Sequence, residues 1–166
     1  MEDRPEIKLK IQPVDIVLEV LGWTALITLW AYIIISYQSL PDVVATHFGS
    51  GGEPDGYGSK ETTFLSAIIP TVLFIFMTFM QGRPHWFNYT ETITGENAER
   101  QYCAGVRLMR ALKMSICLVF LIIEYSSVRV STAETGEFDF VWMFLGIMLL
   151  IKLPLFYFLI KSSKSK

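Results

Sequence analysis

The chain has 166 residues, 52% hydrophobic and 18% charged, with a mean hydropathy of +0.42 and a net charge of −2. Its apolar share is close to that of a soluble domain, but the charged share is low and the charges are gathered into blocks. This near-neutral balance gives no reason to expect a nucleic-acid partner. The two cysteines, Cys103 and Cys117, lack the paired His or Cys neighbours of a zinc site and are not expected to form a structural disulfide.

Met1 to Pro13 form a short mixed-charge tail, with a helix start expected near Pro13. No Asp, Glu, Lys or Arg occurs from Val20 through Pro41, and none from Thr62 through Gly82. Each gap reaches the length of about 20 residues that a helix needs to cross a hydrocarbon core. Spans are therefore predicted over about 15–37 and 62–81. The first is too long for a signal h-region, and the SYQSLPD stretch after it offers no A-x-A-like cleavage site, so a retained helix is expected. A third span, about 106–128, carries Arg107, Arg110, Lys113 and Glu124 in its end turns, and a fourth, about 139–160, contains only Lys152. The predicted fold is all-α: a single membrane domain of four transmembrane helices with a structured Gly-rich outer loop over 38–61.

Orientation follows from the short segments between the spans. Eleven Lys and Arg residues fall in the N-terminal tail, in the 82–105 loop with the helix end that follows it, and at the C-terminus. The 38–61 and 129–138 loops hold only Lys60 and Arg129. The positive-inside rule then places both termini and the second loop in the cytoplasm. The Gly-rich first loop and the acidic third loop, Glu134 to Asp139, face outward.

The first loop, LPDVVATHFGSGGEPDGYGSK from Leu40 to Lys60, holds five glycines along with Pro41 and Pro54. Glycine accepts positive φ and proline fixes φ, so this composition specifies a shaped loop rather than a tether. Pro54-Asp55-Gly56 reads as a turn. Asp42, Glu53 and Asp55 lack the regular alternation of an EF-hand, so no calcium site or other metal site is predicted. His47 has the chemistry of a pH sensor or metal ligand, but a hydrogen-bonding brace within the loop is the favoured role. Lys60 is expected to pair with a loop acid or to touch lipid phosphate.

In the second loop, Gly82, Pro84, Trp86, Phe87 and Tyr89 suit a turn in the headgroup layer, with His85 beside them. Thr94 can cap a helix with Glu96 in its first turn, and one continuous helix is expected from there into the third span. Glu19 either pairs with Arg107, Arg110 or Lys113, or these groups snorkel separately. Glu124 and Lys152 are the charges deepest in the spans. By helical rise they lie at different depths, so Lys152 is expected to snorkel inward and Glu124 to reach the outer interface.

With Leu40, Pro41, His47, Phe48, Gly52, Glu53, Pro54, Asp55, Gly56, Gly58, Ser59 and Lys60 in place, the first loop resembles the signature of the bacterial membrane family called domain of unknown function 1648. Trp86 to Tyr102, with Asn97, Glu99, Arg100 and Gln101, resembles that family's second cytoplasmic stretch, and together the likeness covers roughly 16–110. Thr46 and Gly49 depart from the Pro and Asn that commonly flank His-Phe there. The family is related to the N-terminal part of the sporulation-delaying-peptide immunity proteins. The resemblance therefore implies a multi-pass protein of the bacterial cytoplasmic membrane, of immunity or signal-receptor type, whose outer loop recognises a secreted peptide or envelope component.

Pro41, His47, Phe48, Gly52, Pro54, Asp55, Gly56 and Lys60 are the candidate ligand-binding or loop-shaping residues. Asn97, Glu99, Arg100 and Gln101 form the candidate cytoplasmic motif. No catalytic motif occurs, and neither an enzyme activity nor a cofactor is expected. The bilayer is the one partner that composition implies. A small transporter or accessory subunit, motivated by Glu124 and Lys152, and a purely structural membrane partner are the rival readings.

Overall fold

A computed structural model describes residues 4–49, 53–132 and 140–163. Four helices and one β-hairpin make up the described chain: α1 (Pro13–Ser36), β1 (Val43–Phe48), β2 (Pro54–Ser59), α2 (Leu65–Gln81), α3 (Ala98–Ser131) and α4 (Phe140–Ser163). Short 3-10 turns at Tyr37–Ser39, Lys60–Phe64 and Pro84–Trp86 join them. The hairpin corrects the all-α prediction. Val43, Val44 and Thr46 are β-branched and favour a strand, and the 38–61 segment closes on itself in an antiparallel pair with Val43 opposite Ser59 and Ala45 opposite Tyr57.

The expected turn at Pro54-Asp55-Gly56 is corrected as well, because these residues lie in β2. The reversal falls earlier, where the Gly49 N–H donates to the Glu53 carbonyl at 2.9 Å. Irregular register between Ala45 and Phe48 brings His47 opposite Gly56, where a Cβ would lie 2.9 Å from the His47 Cβ. Only glycine fits there without displacing the facing strand.

Helix α1 begins with Pro13 in its first turn, where a missing N–H costs nothing, and the Asp15 carboxylate accepts from the Gln12 N–H at 2.8 Å. Helix α2 carries Pro70, which withholds the N–H that would bond the Ser66 carbonyl in a regular helix. The helix predicted to start near Thr94 starts instead at Ala98. Residues 94–97 form a turn in which the Thr94 N–H donates to the Asn97 Oδ1 at 2.8 Å and the Ala98 N–H donates to the Thr94 carbonyl at 2.9 Å. From there α3 runs unbroken for 34 residues, which is about 51 Å at 1.5 Å per residue.

Helix α3 is the central element: α1, α2, α4 and β1 all pack against it. The core lies where α1, α2 and α3 meet, around Ala25, Leu26, Phe74 and Cys117 and, nearer the hairpin, around Leu29, Ile33 and Ala67. Trp23 meets Phe74 edge-on at 4.7 Å, and the Trp30 Nε1 donates to the Thr71 Oγ1 at 3.0 Å. Helix α4 is clasped to α3 by the Ser115 Oγ, which donates to the Leu150 carbonyl at 2.7 Å.

Large apolar side chains also point away from the bundle: Ile27 and Ile35 on α1, Val72 and Phe76 on α2, Leu153 and Phe156 on α4. Contiguous apolar surface of this kind is rare on a water-soluble monomer. Among the described residues, two helical segments, Pro13–Ser39 and Lys60–Gln81, are long and apolar enough to cross a membrane. The acidic loop Glu134–Asp139, Gly52, the Lys161 side chain, Lys164 and Lys166 lie outside the described residues.

Candidate functional site

The hairpin is not a free loop. Ser127 and Ser131 stand one helical turn apart on α3, and both address a single strand residue. The Ala45 N–H donates to the Ser131 Oγ at 2.9 Å, and the Ser127 Oγ donates to the Ala45 carbonyl at 2.5 Å. Both backbone groups of Ala45 turn away from β2, as in a non-hydrogen-bonded antiparallel pair. Val44 is buried against Leu40 and Val128, which closes the same contact with apolar surface.

This docking leaves a cavity of about 430 Å³ between the hairpin, α2 and α3. Its deep walls are the buried residues Val44, Ala45, Thr63, Glu124 and Ser127, with Phe48 and Phe120 at the sides and Thr46, Tyr57, Leu65, Ile69 and Ile123 at the exposed rim. Glu124 is 3% exposed. Its Oε2 lies 2.5 Å from the Ser66 Oγ, while its Oε1 is buried with no hydrogen-bond partner. The expectation that Glu124 reaches the outer interface is thus corrected: the hairpin folds over the end of α3 and encloses the carboxyl group. Lys152, by contrast, is exposed on α4.

Near the other end of α3 lies a charged cluster. Asp15, 5% exposed, meets the Arg107 Nε at 2.9 Å and the Arg110 Nη1 at 3.0 Å. Glu19 meets the Lys113 Nζ at 2.5 Å and the Arg110 Nε at 3.4 Å. Lys113 is fully buried, also donates to the Thr78 Oγ1 at 2.8 Å, and sits 4.2 Å above the Phe74 ring. Gly22 permits this approach, since a Cβ there would lie 3.2 Å from the Phe74 ring. Of the two readings open for Glu19, the pairing is the one observed. Asp15, which the spacing of charges did not single out, is its equal partner.

The predicted loop residues separate into distinct roles. His47 pairs with Asp55 across the hairpin, and the His47 side chain is 72% exposed. Lys60 pairs with Asp42 at 3.0 Å and its ammonium lies 5.7 Å from the Tyr37 ring centroid, fastening the two ends of the hairpin together. Phe48 lines the cavity, Gly56 admits His47, Pro41 is exposed ahead of β1, and Pro54 opens β2. In the Asn97–Gln101 motif, Asn97 caps the turn before α3, and the buried Gln101 donates from Nε2 to the Glu91 carboxylate at 3.0 Å. Glu99 and Arg100 are exposed on the first turn of α3. Their neighbourhood is braced by the N-terminal tail, where the Arg4 Nη1 donates to the Phe87 carbonyl at 2.6 Å.

Sequence reasoning did not single out Ser66, Ser127 and Ser131. The available signal was the run from Glu124 to Ser131, in which Glu124, Ser127 and Ser131 recur at intervals of three and four and so share one helix face. Among the described residues no group of three or more His, Cys, Asp or Glu side chains is placed to hold a metal ion.

The cavity and hairpin fall largely within one matched segment. A protein from Archaeoglobus fulgidus, named only as an uncharacterized protein, is similar at 29% identity over 157 residues, covering 86% of this chain and 84% of its own length. No solved structure matches the chain. The Trp86–Tyr102 stretch lies outside the family match, which is shorter than the likeness drawn from the sequence. That match, to the family described as Domain of unknown function (DUF1648), spans residues 24–71: most of α1, the whole hairpin and the first part of α2.

Proposed function

We propose that this chain is a multi-pass membrane protein with four spans. Its Arg-rich end and both termini are cytoplasmic, and its hairpin stands outside. In this reading it is a binding protein of the immunity or signal-receptor kind, and the hairpin with the cavity beneath it receives a secreted peptide or envelope component. The observation that carries the proposal is the hairpin clamped by Ser127 and Ser131 over a cavity of about 430 Å³. That volume lies in the range of sites for small ligands or single peptide side chains.

Further support for the membrane setting comes from the outward-facing apolar surface of α1, α2 and α4, and from the burial of Lys113 and Glu124 of α3 inside the bundle. Transport is less well supported: Lys152 is exposed while Glu124 is enclosed under the hairpin, so the two do not form a relay.

The test is survival of a sensitive bacterium expressing the chain, challenged with sporulation-delaying peptide and with peptides secreted by neighbouring strains. Wild type and His47→Ala are compared at matched membrane levels. Protection that the variant loses supports the receptor reading and the role of the hairpin. Absence of protection by the wild type refutes the immunity reading.

A further inference from the structure

The cavity under the hairpin has a chemical polarity that narrows its guest. The hydroxyls of Thr62, Thr63 and Ser127 each donate to a backbone carbonyl, those of Ser59, Lys60 and Ala45, at 2.6, 2.8 and 2.5 Å. With their protons so engaged, they offer the cavity only lone pairs. Among the described residues no Lys, Arg or His lines it. The Glu124 Oε1 adds a buried carboxyl oxygen without a partner.

Ser66 sharpens the point. Its Oγ lies 2.6 Å from the Thr63 carbonyl and 2.5 Å from the Glu124 Oε2, yet a hydroxyl has one proton. When Ser66 donates to Thr63, Glu124 must be the acid and donate to Ser66. When Glu124 is ionised, Ser66 turns to it, and the second carboxylate oxygen still needs a donor. A buried, unpaired carboxylate is costly, so a positively charged donor arriving in the cavity removes the cost of ionisation.

On this basis we infer that the cavity binds a primary ammonium group carried on an apolar body, a lysine side chain of a secreted peptide, with the ammonium at Glu124 and the hydrocarbon against Phe48, Phe120 and Ile123. The inference rests on the binding role proposed above. A bare metal ion fits less well, because among the described residues the site has a single carboxylate and the cavity is far larger than an ion needs. A lysine side chain matches the mixture of apolar wall and acceptor floor.

The experiment uses the full chain in phosphatidylcholine nanodiscs. A hydrophobic carbodiimide converts a buried, protonated carboxyl group to a stable N-acylurea, and mass spectrometry reads the modification at Glu124. The probes are acetyl-Leu-Lys-Leu-amide and its isostere with norleucine in place of lysine. The lysine peptide is expected to slow labelling of Glu124 at least tenfold at saturation, and the norleucine peptide by less than twofold. Saturable binding of the lysine peptide should be lost in E124Q, while the wild-type protection data stand whether or not that variant folds.

Equal protection by both peptides overturns the ammonium assignment and leaves a binding cavity in place. Protection by neither overturns the assignment and the binding role together. Loss of labelling on exchanging phosphatidylcholine for phosphatidylethanolamine, with no peptide present, overturns the peptide source in favour of a lipid amine.

Discussion

Removing the Glu19 carboxylate is the sharpest perturbation of the charged cluster, because it strands a lysine that has no route to water. The Lys113 ammonium is fully buried and would keep only the Thr78 hydroxyl at 2.8 Å and the Phe74 ring at 4.2 Å. Breaking a buried ion pair by deleting one partner costs about 3–5 kcal/mol. The surviving hydroxyl and ring favour the lower end, about 3 kcal/mol. For a chain of this length 1 kcal/mol moves the midpoint by about 2–4 °C, so Glu19→Met, which leaves no acceptor in place of the carboxylate, should lower Tm by about 6–12 °C.

The assay is thermal unfolding in nanodiscs, followed by far-ultraviolet circular dichroism and intrinsic tryptophan fluorescence. Replacing both partners, Glu19→Met with Lys113→Met, should restore stability to within about 1 kcal/mol of wild type, since an apolar pair of similar volume removes the stranded charge. A single variant within about 1 kcal/mol of wild type would refute the reasoning. So would a double variant as unstable as the single.

Three further outcomes follow from the same geometry. Ser127→Ala and Ser131→Ala each leave one backbone group of Ala45 without its partner. Each should cost about 1–3 kcal/mol of docking, seen as faster amide exchange over 43–59 with the helices unchanged. Gly22→Val places carbon against the Phe74 ring, where a Cβ alone would already lie 3.2 Å away, and should destabilise the bundle by about 1–3 kcal/mol in the same unfolding assay. Burial, reinforced by the neighbouring Tyr102, pushes the Tyr89 phenol well above its ordinary range. The unfolded chain therefore loses this proton from about pH 10 while the folded chain keeps it, so stability falls as pH rises above 10. Tyr89→Phe should flatten that fall, as read by denaturant midpoints between pH 9 and 11.

Long uncharged runs were the legible part of the fold. The gaps from Val20 to Pro41 and from Thr62 to Gly82 located α1 and α2 because a helix exposed on most sides to an apolar medium can carry almost no charge. Helix α3 was harder to bound, since its charges are answered by Asp15 and Glu19 on α1, a distant segment that a local pattern does not reveal. The hairpin escaped for a related reason. Pro54, Asp55 and Gly56 carry strong turn signals, but Asp55 is held by His47 on the facing strand, and that pairing overrides local preference. At the candidate site, His47 and Lys60 were visible as ionisable groups in a shaped loop. Glu124 was visible only as a charge near a span end, because its enclosure depends on a hairpin folded more than 60 residues earlier in the chain.

The serine pair on α3 has one more effect, on which side of the hairpin remains open to other chains. A strand edge with free N–H and C=O groups is a template for adding a further strand. On β1 the outward-facing amide and carbonyl of Ala45 are already capped by two hydroxyls, so α3 stands where a third strand would lie. What remains is the outer edge of β2, which begins with Pro54, a residue without an N–H to offer. The hairpin is thereby guarded against uncontrolled strand addition, and a partner that did add a strand could do so only along Asp55 to Ser59.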